Sequence, residues 1–268
     1  MPTTLLTESQ QARYARHLSL PNFGPTAQLR LMSAKVLIIG AGGLGSPVCF
    51  YLTAAGVGTL GILESDSLEL SNLQRQILYT INDLGKSKTD SAQRHLQKLN
   101  PEVTLILHNL RLTPVNAADL LAPYDLIVNC TDNFPTRYLI NATCVRLQKI
   151  LVDAAISQFE ALASIFAPHL KEWQGQPIET GCYCCLFPEP PEGEGERGRV
   201  GGVMGPMCGI LGSIQATEAL KILTHLGNPL FGKLLRLNAL TMEFRTLTLR
   251  QNKDCPICRS VNQSELRA

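Results

Sequence analysis

The 268-residue sequence predicts an α/β fold: a mostly parallel sheet with helices on both faces and antiparallel strands at its C-terminal end. Short β-rich runs alternate with longer helical patterns from Lys35 to about Ala155. A glycine-rich turn joins the first of those runs to the first of those helices, and two apolar runs near the end read as a hairpin.

The elements follow in order. Thr7 is a candidate N-cap for a leading helix in TESQQARYARHLSL, and a Pro/Gly loop, PNFGP, separates it from a second helix over 27–33. KVLIIG, TLGILE, VTLILH, DLIVNC and KILVDAA read as strands, with helices over 44–55, 88–99 and 135–148 between them. After Ala155 come ALASIFAP, a cysteine cluster and FPEPPEGEGERGRVGG, which has little to bury and reads as a mobile loop. Order resumes in GILGSIQATEALKILTHLG, where Ile210, Ile214, Leu220 and Leu223 recur at helical spacing and Gly227 reads as the stop. KLLRLNAL and EFRTLTLR close the sheet, and no internal repeat appears.

Composition narrows the function classes. Hydrophobic residues make up 45%, charged residues 17% and the net charge is +2, so no electrostatic bias toward nucleic acid or membrane exists. The polar N-terminus lacks a signal-peptide core and no apolar run is long enough to span a bilayer, so a cytoplasmic protein is expected. In such a protein nine cysteines read as metal ligands, reactive thiols or small buried hydrophobes.

VLIIGAGGLGS carries G-x-G-x-x-G between a strand and a helix, with Gly40, Gly42, Gly43 and Gly45 letting a Rossmann-like backbone approach a phosphate. The motif alone fits NAD(P), FAD, ATP or a structural turn. Glu64, after the second strand, stands where an acidic side chain takes ribose hydroxyls, which NAD and ATP share. Asn72, Gln74 and Arg75, with Lys88 beyond them, favour a triphosphate, because its length needs cations and amides along it. The alternative is a solvated helix start with Arg75 in a surface pair. Asp132 and Asn133 end an apolar strand at the edge where open α/β sheets bind ligands. Asp132 could hold Mg²⁺ there, Arg137 is expected to face the same crevice, and the pair could equally cap the next helix.

Cys182 and Cys185 form one C-x-x-C, and Cys255 and Cys258 another, which together describe a tetrahedral structural Zn²⁺ site with no open position. Free thiols are the alternative, and Cys184 leaves a 184/185 pairing open. Cys49, Cys130, Cys144 and Cys208 read as buried small hydrophobes. The five histidines show no metal spacing, and no G-x-S-x-G elbow or carboxylate pair suggests hydrolysis.

RYARHL, GAGGLGSP, LSNLQRQILY, GKSK, NCTDNFPTRYLIN, CYCCLFPE, GGVMGPMCGILGSIQATEALKIL and DCPIC occur in one order that resembles the ubiquitin-activating-enzyme-like adenylyltransferases of the ThiF/MoeB/HesA kind, from sulfur-carrier pathways. The resemblance implies a single domain over 1–268: N-terminal helices over 7–33, a nucleotide-binding core over 35–170, a zinc and mobile-loop segment over 180–202, and a C-terminal helix and strands over 203–268. It implies that Mg-ATP and the C-terminal Gly-Gly tail of a small β-grasp protein are the substrates, and that the tail carboxylate attacks the α-phosphate to release pyrophosphate. By the same resemblance the glycine loop and Glu64 hold the adenosine side, Arg75 and Lys88 the phosphates, and Asp132 the Mg²⁺, while Arg16 reaches the γ-phosphate from the partner of a homodimer.

Two departures stand out. Glu64 replaces the Asp usual in the family, and ERGRVGG lacks the loop cysteine of some members, Gly198 or its neighbours standing there. With no rhodanese domain expected, sulfur would come from a separate donor. The alternatives are a family member acting on a peptide or small-molecule carboxylate, an NAD-dependent oxidoreductase, and an idle binding scaffold.

Overall fold

A computed structural model describes residues 5–190 and 202–259. Two short helices, α1 (Glu8–Arg13) and α2 (Ala15–Leu18), precede α3 (Gly24–Ser33). Thr7 caps α1 in a reciprocal box with Gln10. The helix expected over 27–33 begins earlier, because Pro25 fits a first turn, whose N–H groups lack intrahelical partners in any case.

The alternating core then runs β1 (Lys35–Ile39), α4 (Gly45–Ala54), β2 (Thr59–Leu63), α5 (Lys88–Leu99), β3 (Thr104–His108), α6 (Ala117–Leu121), β4 (Leu126–Asn129), α7 (Phe134–Arg146) and β5 (Ile150–Ser157). The chain continues through β6 (Glu160–Phe166), the two-residue strands β7 (Glu172–Trp173) and β8 (Gln176–Pro177), α8 (Tyr183–Leu186), α9 (Gly205–Thr224), β9 (Lys233–Asn238) and β10 (Glu243–Thr248). The main sheet has the order β10-β9-β6-β5-β4-β1-β2-β3. Pairing is parallel from β3 to β5 and antiparallel from β5 through β6 and β9 to β10, so the expected hairpin forms the edge.

Strand alternation sends side chains to two cores. Val36, Ile38, Leu60, Ile62, Leu126 and Val128 face the layer that includes Leu31, Leu52, Ala92 and Leu211 of α3, α4, α5 and α9. Leu37, Ile39, Leu63 and Ile127 face Leu121 and Ile140 of α6 and α7. Burial on both faces is why the central strands read as continuous apolar runs.

In α9 the fully buried side is Leu211, Gln215, Ala219 and Ile222, while Ile210, Ile214, Leu220 and Leu223 pack half-buried at its margin. The helix ends before Gly227. His225 takes the left-handed C-cap conformation (φ 56°), and Gly227 (φ 63°) turns the chain beyond it. The segment expected to be a mobile loop falls mainly in 191–201, outside the described residues. Among the described residues no helix is long and apolar enough to cross a membrane.

Candidate nucleotide site and cysteine cluster

The chain leaves β1 toward β2 and β3 on one side, then returns to place β4 on the other, which makes the β1/β4 boundary a topological switch point. Ile39 pairs with both Leu63 and Asn129, so the loops following β1, β2 and β4 begin side by side at the carboxyl edge of the sheet.

Gly40 turns out of β1 with φ 93°, and a Cβ there would stand 2.8 Å from Cys130 O. A Cβ on Gly45 would overlap Gly40 O, so only glycine lets α4 start this close to the strand end. A Cβ on Gly43 would meet Cys208 Sγ at 2.7 Å, and one on Gly42 would lie 3.4 Å from Gln76 Nε2. The N–H groups of Gly42 and Gly43 donate to no acceptor among the described residues, and they precede the first turn of α4, where the helix dipole favours an anion.

Glu64 joins this loop directly. Its Oε2 accepts from Ala41 N at 3.2 Å, and its Oε1 accepts from Ser65 N at 2.8 Å and Asp66 N at 3.0 Å. One carboxylate thus serves the loops after both β1 and β2. Lys88, the first residue of α5 after its N-cap Ser87, is only 5% exposed. Its Nζ lies 3.5 Å from Asp66 Oδ2, on a carboxylate that is itself 59% exposed. A buried ammonium with so open a partner is placed to take a second anion.

The segment from Glu69 to Tyr79 covers the glycine loop. A 3₁₀ turn (Leu70–Asn72) is locked by Asn72 Oδ1 accepting from Glu69 N at 3.2 Å, so Asn72 shapes the turn that presents Arg75. Arg75 is half-buried; its Nη1 donates to Ser71 O at 3.1 Å, and its Cγ comes within 3.6 Å of a Cβ placed on Gly43. Gln74 Nε2 reaches instead to Val203 O at 3.4 Å, just before α9. Tyr79 OH donates to Ala41 O at 2.8 Å, and burial holds that phenol far above its ordinary range. The sequence reading missed Tyr79, Gln76 and Asp66. Their only signal was adjacency to Arg75 and Glu64.

Asp132 is exposed beyond β4 and makes no hydrogen bond or ion pair among the described residues, leaving both oxygens open. Asn133 caps α7, its Oδ1 accepting from Thr136 N at 3.0 Å. Arg137 does not open into the crevice. It is 5% exposed, with Nη1 at 3.0 Å from both Asp153 oxygens and Nη2 donating to Thr131 O and Ala154 O. Burial pushes the Asp153 carboxyl up, and Arg137 and Asn129 counter it by hydrogen bonds to the ionised form. The pair braces the strand end that presents Asp132.

Arg16 lies elsewhere. Its neighbours Tyr14 and His17 lead to the far end of α4: a Cβ on Gly56 would overlap the Tyr14 hydroxyl, and His17 joins Gln28, which donates to Ala55 O. A ten-residue helix, about 15 Å long, separates that end from the glycine loop. Arg16 is exposed and is not brought to the site within one chain.

Cys182, Cys185, Cys255 and Cys258 have all four sulfurs within 4.8 Å of one another. The separations are 3.6 Å for 182–255, 3.4 Å for 185–258 and 4.0 Å for 182–185. Metal–sulfur bonds of about 2.3 Å place tetrahedral sulfurs about 3.8 Å apart, so the set fits one thiolate-bound ion. Cys184 lies beside the cluster but outside the four-sulfur set, its Sγ accepting from Asn141 Nδ2 at 3.4 Å, which favours Cys182 as the ligand. Cys49, Cys130, Cys144 and Cys208 are buried as expected, and burial pushes the Cys49 thiol up to about 12.

A family model described as the ThiF family matches residues 14–257. A sulfur carrier protein adenylyltransferase of Thermus thermophilus is 48% identical over 254 residues, covering 94% of this chain and 92% of its own. The probable adenylyltransferase/sulfurtransferase MoeZ of Mycobacterium tuberculosis is 45% identical over 257 residues, and there the chain spans only 64% of the relative's length. The crystal structure of E. coli MccB with ATP shares the fold, with a TM-score of 0.77 at 23% identity over 95% of this chain and 76% of that one. The chain belongs to the ThiF family and stands among its adenylyltransferases.

Proposed function

We propose that the protein uses ATP to adenylylate the C-terminal Gly-Gly carboxylate of a small β-grasp sulfur-carrier protein, releasing pyrophosphate. The observation that carries this reading is the convergence, at the ends of β1, β2 and β4, of the α4 N-terminus, Glu64, Arg75, Lys88 and Asp132. Two cations and an open carboxylate suit a triphosphate with its metal ion, the combination that phosphate-transfer sites use.

In this reading the N–H groups of the glycine loop take phosphate oxygens, while Glu64 holds the loop and accepts from the ribose. Arg75 and Lys88 flank the phosphates from two sides. The carrier carboxylate forms a bond to the α-phosphorus as the bond to the bridging oxygen breaks. Lys88 and Arg75 stabilise the charge that builds there and on the departing pyrophosphate, which is catalysis by positioning and electrostatics. Asp132, an exposed hard oxygen donor without a competing partner, fits Mg²⁺, which when bound would shield phosphate charge. The four thiolates fit structural Zn²⁺, tying α8 to the 255–258 segment.

The distance of Arg16 from its own site supports a homodimer in which each chain completes the other's. No cysteine occurs between Cys185 and Cys208, which supports a separate sulfur donor. Molybdopterin or thiamine biosynthesis in the cytoplasm is the matching setting.

The test is ATP–pyrophosphate exchange with a carrier ending in Gly-Gly. Exchange that requires the intact tail supports the reading; exchange with free small carboxylates and no protein would favour the alternative substrate class.

A further inference from the structure

Tyr183 and Cys184, the two residues between the ligands of the first C-x-x-C, are both held by one side chain from outside the cluster. Asn141 Oδ1 accepts from Tyr183 N at 2.8 Å, and Asn141 Nδ2 donates to Cys184 Sγ at 3.4 Å. Asn141 is 1% exposed and Cys184 5%, so water does not compete for these bonds. Tyr183 N belongs to the first turn of α8, where it has no intrahelical acceptor, and the carboxamide supplies one.

The support for this grip is rigid. Asn141 lies on α7, whose start is capped by Asn133 and whose Arg137 is paired with Asp153 of β5. Tyr138, Asn141 and Val145, at helical spacing, form the face of α7 that meets the cysteine cluster. Tyr138 OH donates to Phe187 O at 3.0 Å, a bond that falls beyond Cys185 and not between the ligands. With both intervening residues fixed, the Cys182 sulfur stands 3.6 Å from that of Cys255 and the Cys185 sulfur 3.4 Å from that of Cys258. A turn aimed in advance has less ordering to undergo when an ion binds, which is how outer partners raise metal affinity.

We propose that Asn141 is the positioning residue of the metal site, its carboxamide gripping the two residues between Cys182 and Cys185 so that both sulfurs are aimed at the ion before it binds. The inference rests on the four-thiolate zinc reading above. Its test is the zinc dissociation constant of the full chain, measured by competition with a chromogenic chelator, for Asn141→Leu, Asn141→Ser and Tyr138→Phe. Leu fills the space and Ser leaves a cavity, and neither can grip the turn. Tyr138→Phe removes only the neighbouring bond to Phe187.

Asn141→Leu and Asn141→Ser are each expected to bind zinc about ten- to a hundredfold more weakly than the parent. Tyr138→Phe is expected to stay within about twofold of the parent while melting at a lower temperature. Equal losses in two Asn141 variants of opposite packing assign the effect to the missing grip. An Asn141 variant that melts cooperatively yet holds zinc within about twofold of the parent would overturn the inference. An equal loss in Tyr138→Phe would also overturn it, by making the effect a general loosening of α8 against α7. A parent chain that binds no zinc overturns the four-thiolate reading itself, so the two failures are distinguishable.

Discussion

Glu64 Oε2 accepts a hydrogen bond from Ala41 N at 3.2 Å, so the end of β2 holds the glycine loop that follows β1. The same carboxylate accepts from Ser65 and Asp66, and Asp66 in turn faces Lys88. One side chain thus links the phosphate-facing loop to the buried cation across the crevice. Glu64→Ala removes the acceptor of the Ala41 N–H and, in the proposed reaction, the ribose acceptor, and is expected to raise KM for ATP about tenfold or more with a smaller change in kcat. KM within about twofold of the parent in pyrophosphate exchange would show that Glu64 only shapes its own turn.

The proposed reaction gives buried Lys88 its role at the phosphates, and its one ion-pair partner among the described residues, Asp66, stays largely in solvent. Lys88→Met keeps the buried stem and removes the charge. It is expected to lower kcat for exchange roughly a hundredfold with the melting temperature little changed. A large loss of stability with near-parental kcat would instead make the Lys88–Asp66 pair structural.

Acid should loosen the segment that carries these groups. Asp83 closes a 3₁₀ turn (Ile81–Asp83) and bonds His95 Nε2 and Arg94 Nη2 on α5 at 2.8 and 2.9 Å. Burial pushes its carboxyl up, but hydrogen bonds from His95 and Thr80 outweigh that and hold it at about 2, below the usual 3.8. A depressed carboxylate stabilises the fold above the unfolded value near 4 and loses that contribution as pH falls toward 2. Asp83→Asn is expected to cost about 2 kcal/mol at pH 7, with the difference from the parent shrinking to nothing below about pH 2 in denaturant titrations.

The cysteine cluster predicts one tightly bound zinc per chain by metal analysis. Cys255→Ser should lose the metal and melt roughly 10 °C lower, whereas Cys184→Ser should keep it, since Cys184 is outside the four-sulfur set. Metal lost from both variants alike would contradict the ligand set.

The parts of the site that were legible in the sequence are those set by local pattern. The glycine loop, Lys88 at a helix start and Asn133 at an N-cap each follow from spacing within a few residues, and all stand where expected. Arg137 was misplaced because its partner Asp153 sits on the neighbouring strand β5, and a buried ion pair between elements leaves no trace in spacing. Tyr79 and Gln76 were missed for a related reason: their role arises only when 69–79 folds over a loop more than thirty residues earlier. Pro25 was read as loop although it also suits a first helical turn, and packing against α9 and the sheet decides between the two.

The most direct measurement is the mass of a Gly-Gly-tailed carrier after incubation with the enzyme and Mg-ATP, quenched without any sulfur donor. The account predicts a carrier bearing one AMP on its C-terminal carboxylate, formed with release of pyrophosphate and absent when the tail is deleted or Lys88 is replaced by Met. A carrier that stays unmodified while the chain binds NAD and not ATP would contradict it.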